Sequence, residues 1–192
     1  MKTTIFSLQH FHTSQWSGGS TTQLYIFPAT ASYAALNFEL RISKAKVEVE
    51  ESTFTALPGI DRKLMILEGE INITHEEHYS KHLKPFDVDE FSGDWKTSAI
   101  GTCTDFNVMT KGKKHSELYH ISSLATKNYT LKPKKTCKNL FLSATSGTIH
   151  LHLMNDNYIL ETGNLMLIED LKISSITIKS TNDFGLVVVE MD

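Results

Sequence analysis

The stretch Phe38-Glu39-Leu40-Arg41-Ile42-Ser43 constrains the fold more than any other part of the chain. It reads as a strand, because large apolar groups recur at every second position: Phe38, Leu40 and Ile42. Side chains alternate sides along a strand, so Arg41 and Ser43 share the opposite face. An arginine in so apolar a stretch is costly unless it reaches water, a carboxylate or a ligand. Two further segments repeat the pattern. Pro58-Gly59-Ile60-Asp61-Arg62 leads into the apolar run 64–67, and Thr104-Asp105-Phe106-Asn107-Val108-Met109 sets Asp105, Asn107 and Met109 against Phe106 and Val108. Ionic and amide groups at alternating positions of three strands are how a β-barrel lines a polar pocket.

The 192 residues can form one large all-β domain or two fused small ones, and they suffice to bury a core. A net charge of −3 leaves no electrostatic footprint for nucleic acid or an anionic membrane, and neither partner is expected. The basic residues Lys111, Lys113 and Lys114 and the pair Lys134 and Lys135 lack the interleaved aromatics of a nucleic-acid platform and read as solvated loops. The start, Met1 to Phe6, has no long apolar segment of the signal-peptide kind, and no run approaches the roughly 18 apolar residues of a membrane span. Cys103 and Cys137 form no CxxC pair, so reduced, inert thiols in a cytoplasmic protein are the simple expectation.

Strand signals dominate, and no long segment carries a 3.6-residue apolar stripe. Strands are expected at 3–8, 22–27, 36–43, 63–67, 70–75, 105–109, 117–121, 139–144, 147–153, 157–160, 165–169, 173–179 and 185–190. A weak repeat runs through them. Residues 63–73 pass through the turn Glu68-Gly69 and lead to 83–87; residues 139–151 pass through Ser146-Gly147 and lead to 160–164. The segment around Gly163-Asn164-Leu165-Met166 resembles the Gly-Asp-apolar step of cupin barrels. The expected architecture is all-β, a cupin-type jelly-roll barrel, with the repeat pointing to two fused units, a bicupin. Residues 1–121 would form an N-terminal barrel with the candidate pocket. Residues 122–192 would form a cupin-like half, packed with the first as one unit or standing beside it, and the Ser-, Thr-, Lys- and Pro-containing stretch 122–138 would be the join.

Several short motifs, taken in order, resemble the HutD/Ves family, which has a cupin-type fold. They are Trp16-Ser17-Gly18-Gly19-Ser20-Thr21-Thr22, Pro28, Arg41-Ile42-Ser43-Lys44-Ala45, Phe54, Pro58-Gly59-Ile60-Asp61-Arg62, Leu67-Glu68-Gly69, Phe91-Ser92-Gly93-Asp94 and Asp105-Phe106-Asn107-Val108-Met109. The likeness covers about residues 5–112, and beyond that rests on the second-half cupin pattern. Ser20 departs from the family's usual glycine and puts the first loop in doubt. The resemblance implies a link to histidine utilisation in some members and a stress-response label in others, with no reaction attached.

Arg41, Ser43, Asp105 and Asn107 are the pocket candidates. Arg41 offers a planar fork suited to a carboxylate, Asn107 both donates and accepts, and Asp105 can orient Arg41 or accept a proton from a ligand amine or imidazole. The plainer reading is a structural Arg–Asp pair between strands; the resemblance favours a ligand pocket. Arg62 either reaches the same pocket or ties its own loop to backbone carbonyls. In Trp16–Thr22 the free N–H groups can cradle an anion, which would bring in Trp16 and Thr22, or the segment is a tight turn whose tryptophan plugs the barrel.

The histidines suggest a metal but fall short of one. His150-Leu151-His152 puts two imidazoles on one strand face, with Asp156 following, yet no histidine occurs after His152. No metal and no cofactor are expected. His75-Glu76-Glu77-His78, with His82, is not HExxH and reads as a solvated hairpin tip. No Walker loop, GxSxG elbow or strand–helix GxGxxG is present. The leading expectation is therefore a metal-free binding module for a small acidic metabolite, linked to histidine utilisation or its regulation, with a homodimer allowed. The alternatives are an enzyme, either an isomerase or hydrolase with Asp105 as base or a metal enzyme through His150 and His152, and a structural protein with a vestigial pocket.

Overall fold

Two tight turns set the frame. Gly69 and Gly147 adopt φ of +76° and +75°, where an L side chain is strained. A Cβ added at Gly69 would lie 2.3 Å from the Thr102 carbonyl oxygen, and one at Gly147 would lie 2.6 Å from that of Asp183. The same local chemistry thus recurs at the same point of both halves of the repeat.

The computed structural model describes residues 1–112, 114–124 and 128–192. Lys113 and positions 125–127 of the expected join lie outside the described residues. Strands β1 (Lys2–Phe6), β2 (His12–Trp16), β3 (Gly19–Phe27), β4 (Leu40–Val47), β5 (Glu51–Thr53), β6 (Ile60–Gly69), β7 (Ile71–His75), β8 (Tyr79–Leu83), β9 (Val88–Ser92) and β10 (Thr97–Ile100) come first. Then follow β11 (Cys103–Lys111), β12 (Ser116–Ser123), β13 (Tyr129–Leu131), β14 (Asn139–Ser146), β15 (Ile149–Leu153), β16 (Asp156–Leu160), β17 (Leu165–Glu169), β18 (Ile176–Lys179) and β19 (Phe184–Met191). One 3-10 turn, Leu8–His10, accompanies them, and no α-helix occurs among the described residues. The all-β class is as the alternation requires.

The chain forms two compact units. Residues 11–113 hold a six-stranded sheet in the order β2-β3-β4-β11-β6-β9 and a four-stranded sheet in the order β5-β10-β7-β8. Residues 1–10 with 114–192 hold a five-stranded sheet, β1-β17-β14-β19-β12, and a four-stranded sheet, β13-β18-β15-β16. The orders β4-β11-β6-β9 and β5-β10-β7-β8 recur as β12-β19-β14-β17 and β13-β18-β15-β16, so the repeat seen in sequence is a repeat of topology.

Three expectations change. The closed barrel is replaced in each unit by a pair of open sheets, each running from one edge strand to another, with the edge strand β2 exposed throughout. The division is not at 121/122: β1 pairs antiparallel with β17, and β12 pairs along its whole length with β19, which draws residues 1–10 and 114–121 into the second unit. The segment 122–138 is not wholly a join, since Tyr129–Leu131 is a strand paired with Ile176–Ile178.

Each unit has its own core. In the first, Leu64 and Ile66 of one sheet meet Ile71, Ile73, Leu83 and Ala99 of the other. In the second, Leu140, Leu142, Ala144, Leu186 and Val188 meet Ile149, Leu151, Leu160 and Ile178. Burial of such aliphatic side chains contributes about 1.5–3 kcal/mol each.

His75 is not a solvated tip residue. It is 1% exposed, packs against Phe91 with ring centroids 4.5 Å apart, and hydrogen-bonds Asp89 Oδ2 through Nε2 at 2.8 Å and Thr97 Oγ1 through Nδ1 at 2.8 Å. Asp89 lies on β9 and His75 on β7, so the contact joins the two sheets of the first unit. Tyr79 Oη donates to the same carboxylate at 3.1 Å. Removing one member of such a buried set leaves the other without its partner. The His75→Ala variant is expected to lose about 3–5 kcal/mol of stability in urea unfolding, and a loss below about 1 kcal/mol would contradict this role.

Candidate functional site

The site is built on one face of the six-stranded sheet. Backbone register places Arg41 and Arg62 opposite Met109 from either side, Ser43 opposite Asn107, and Ala45 opposite Asp105. The two arginines therefore stand in one row, two strand spacings or about 10 Å apart at the backbone. On β6 the next residues of that face are Leu64 and Ile66, which belong to the apolar core. The polar patch gives way to core along the strand itself.

Arg41, Ser43, Arg62, Asp105 and Asn107 all line a cavity of about 340 Å³. Arg41 and Arg62 are each 6% exposed, and Asp105 is 3% exposed. Arg41 donates from Nε to Gln23 Oε1 at 3.1 Å and from Nη1 to Ser43 Oγ at 3.1 Å. Its guanidinium lies 4.4 Å from the centre of the Tyr33 ring. Arg62 donates from Nη2 to Asn107 Oδ1 at 3.1 Å, and its guanidinium packs against the rings of Phe54 and Phe91, 4.9 and 5.0 Å from their centres. Its Nε is buried without a hydrogen-bond partner among the described residues. Asn107 Nδ2 in turn donates to Asp105 Oδ1. Among the described residues neither guanidinium is in an ion pair with a carboxylate.

The geometry separates alternatives that the sequence leaves open for Asp105 and Arg62. Asp105 is linked through Asn107 to Arg62 rather than orienting Arg41, because Asn107 sits between them on the sheet face. Arg62 reaches the pocket and does not tie down its loop. Burial pushes the Asp105 carboxyl up to about 7, against the opposing pull of Arg62, the Ala45 backbone N–H and Asn107. Burial also lowers Arg62 to about 10 and lowers Arg41, and both stay cationic at neutral pH.

The segment Trp16–Thr22 is a hairpin, with Trp16 paired to Gly19 across the turn Ser17-Gly18. An added Cβ at Gly18 would meet the Trp16 ring at 2.2 Å, so the tryptophan lies over its own turn. Ser20 lies inside β3, paired with Lys46, and the departure there falls in a strand. Trp16 lines the cavity and is 42% exposed. Thr22 does not line it. Alternation puts Thr21 on the pocket face, and Thr22 points the other way, bonded to Thr13 Oγ1 at 2.8 Å. Sequence reasoning missed Gln23, Tyr33 and Phe54. Gln23 shares the face of Thr21 by alternation and pairs with Ser43 before the β3 bulge, Tyr33 arrives from a loop, and Phe54 follows the three-residue strand β5.

His150 and His152 are exposed on β15 of the other unit, His152 bonded to Asn157 Oδ1 at 2.9 Å. Among the described residues no group of three His, Cys, Asp or Glu is placed to hold a metal ion. Cys103 and Cys137 are buried and free, with burial pushing their thiols up to about 12 and about 11. No helix among the described residues is long and apolar enough to cross a membrane.

The raised Asp105 carboxyl has a consequence for stability. Between its ordinary value of 3.8 and about 7 the folded chain keeps a proton that the unfolded chain releases. Asp105 thus lowers stability as pH rises through that window. Urea unfolding at pH 5 and pH 8 should show a smaller pH slope in Asp105→Asn than in the wild type, and an equal slope would contradict the buried-carboxyl reading.

The fold has counterparts among solved structures. A conserved protein of unknown function from Pseudomonas aeruginosa PAO1 has a structure with a TM-score of 0.84 at 19% identity, over 100% of both chains. HutD from Pseudomonas fluorescens SBW25, solved in a formate condition, gives 0.75 at 16% identity, again over 100% of both chains. The bacterial pirin YhhW from Escherichia coli, in complex with nickel(II), gives 0.71 at 9% identity, over 98% of each chain. At such identities these likenesses speak for a cupin-like fold alone. Curated proteins give no significant match. The sequence profile of the family described as HutD, however, matches residues 8–186, nearly the whole chain, and the protein belongs to the HutD family.

Proposed function

We propose that the protein is a metal-free bicupin that binds a small carboxylate-bearing metabolite in the cavity of its first unit. The carrying observation is the pair of buried guanidiniums, Arg41 and Arg62, that face one cavity with no carboxylate in an ion pair with either among the described residues. Arg62 Nε is a buried donor without an acceptor, and leaving such a donor unmet costs about 1–3 kcal/mol or more. A bound anion supplies the acceptor and the charge together. A volume of about 340 Å³ suits a metabolite of a few to about a dozen heavy atoms. The shared strand order of the two units supports the bicupin reading.

Membership of a family described as HutD, and likeness to a protein named HutD, favour an acid from histidine breakdown and a sensing or buffering role in the cytoplasm. A second reading is favoured by one observation: Asp105 lies in the cavity with its carboxyl raised to about 7, the value wanted of a general base. That reading is a metal-free isomerase or hydrolase, and it predicts turnover of the acid that binds.

Thermal-shift screening with urocanate, histidine, glutamate and their formimino derivatives tests the proposal. An acid that stabilises the wild type should lose its effect in Arg41→Ala, at a binding cost of about 2–5 kcal/mol, while the variant remains folded. Failure of every acid in the panel, or unfolding of Arg41→Ala on its own, would favour a structural role for the arginine. Proton NMR of the acid after incubation, which resolves an isomer as well as a hydrolysis product, separates binding from turnover.

A further inference from the structure

We propose that anion binding in this cavity is coupled to proton uptake at Asp105, with the Asn107 amide as the link, so that the site fills as pH falls and empties as it rises. The proposal rests on the anion-binding reading of the cavity.

The link follows from hydrogen-bond roles. A guanidinium can only donate, so the Asn107 oxygen must face Arg62, as it does at 3.1 Å. Its NH2 group must then face Asp105 Oδ1, which accepts that bond whether Asp105 is ionised or neutral. Asn107 is thereby held by both partners at once. Any proton that Asp105 carries is directed to Oδ2.

The charges around Asp105 are few. Arg62, on β6, is the cation that opposes it; from β4 the Ala45 backbone N–H donates to it; on its own strand stand Asn107 and Cys103. The Cys103 thiol stays neutral at physiological pH. Arg41 shares the cavity and is turned to Gln23 and Ser43. The ionised form of Asp105 therefore depends on the positive field of Arg62. An anion seated in the cavity beside the Arg62 guanidinium offsets that field and adds a repulsion of its own. Both effects drive Asp105 to its neutral form.

Linkage then fixes the direction. An anion that makes the site take up a proton binds more tightly as protons become more available. Below about 7 Asp105 already carries its proton in the empty site, and affinity is flat. Above that pH each anion brings in a proton, and affinity falls towards tenfold per pH unit. Arg41 and Arg62 keep their charge across this range and contribute no slope.

The test is calorimetric titration with formate and with glutarate, which stay ionised throughout, at pH 6.5, 7.5 and 8.5, in two phosphate-free buffers of different ionisation heat. The expected result is net uptake approaching one proton per anion at pH 8.5 and nearly none at pH 6.5, with weakening of up to tenfold between pH 7.5 and 8.5. In Asp105→Asn affinity should no longer change with pH. Binding without proton exchange at pH 8.5, or a slope retained in Asp105→Asn, overturns the coupling and leaves the acid-binding reading standing. Absence of binding by both anions and by the acids of the thermal-shift panel overturns both. Should Asp105→Asn fail to fold, carbon NMR of the Asp105 carboxyl in the wild type decides: saturation with the binding anion should raise its titration midpoint, and an unmoved midpoint overturns the proposal.

Discussion

Two guanidiniums buried on one face of one sheet are the costliest feature of the first unit, and its local structure is arranged about them. A buried cation is tolerable only where hydrogen bonds, aromatic faces or an opposing charge replace water. Arg41 has Gln23, Ser43 and the face of Tyr33; Arg62 has Asn107 and the faces of Phe54 and Phe91. These partners come from β3, β4, β9, β11, a loop and the end of a short strand. The buried carboxylate nearby, Asp105, is joined to Arg62 only through Asn107. What remains is a cavity lined by two guanidiniums and one carboxyl group.

The second unit shows what the same frame becomes without that burden. The residue seven positions before each turn glycine is Arg62 in one unit and Leu140 in the other. Equivalent register places Leu186 and Val188 where the first unit has Asp105 and Asn107, and Tyr119 where it has Ser43. Leu140, Leu186 and Val188 belong to the apolar core of their unit. Tyr119 donates to Glu190 Oε1 at 2.6 Å, and the Lys134 backbone N–H donates to Glu190 Oε2 at 2.9 Å. There Glu190 is met by Tyr119 and Lys134, and apolar core stands at the positions of Arg62, Asp105 and Asn107.

Much of the site was legible because a strand has a period of two. Arg41 with Ser43, and Asp105 with Asn107 and Met109, had to share faces wherever their strands lay. The same rule failed at Thr22, where a two-residue turn and pairing set the phase and Thr21 took the pocket side. Short strands such as His12–Trp16 and Glu51–Thr53 carry little apolar signal because they are edges, and they were missed. The polar neighbours Glu76, Glu77 and His78 give the His75 segment the look of a solvated turn. Its partners, Asp89 and Thr97, are 14 and 22 residues away.

By itself the sequence determined the all-β class, the repeat, and which polar groups lie together along each strand, since these are matters of local alternation and turn chemistry. It also carried the family likeness. Only the tertiary structure decided which strands are neighbours, and hence that Asn107 stands between Asp105 and Arg62, that Arg62 Nε lacks a partner among the described residues, that β1 belongs with the second unit, and that the polar strand faces of the first unit line one cavity. The physical reason is that strand pairing joins residues far apart in the chain, and the charge balance of a buried group is set by those distant neighbours rather than by its own segment.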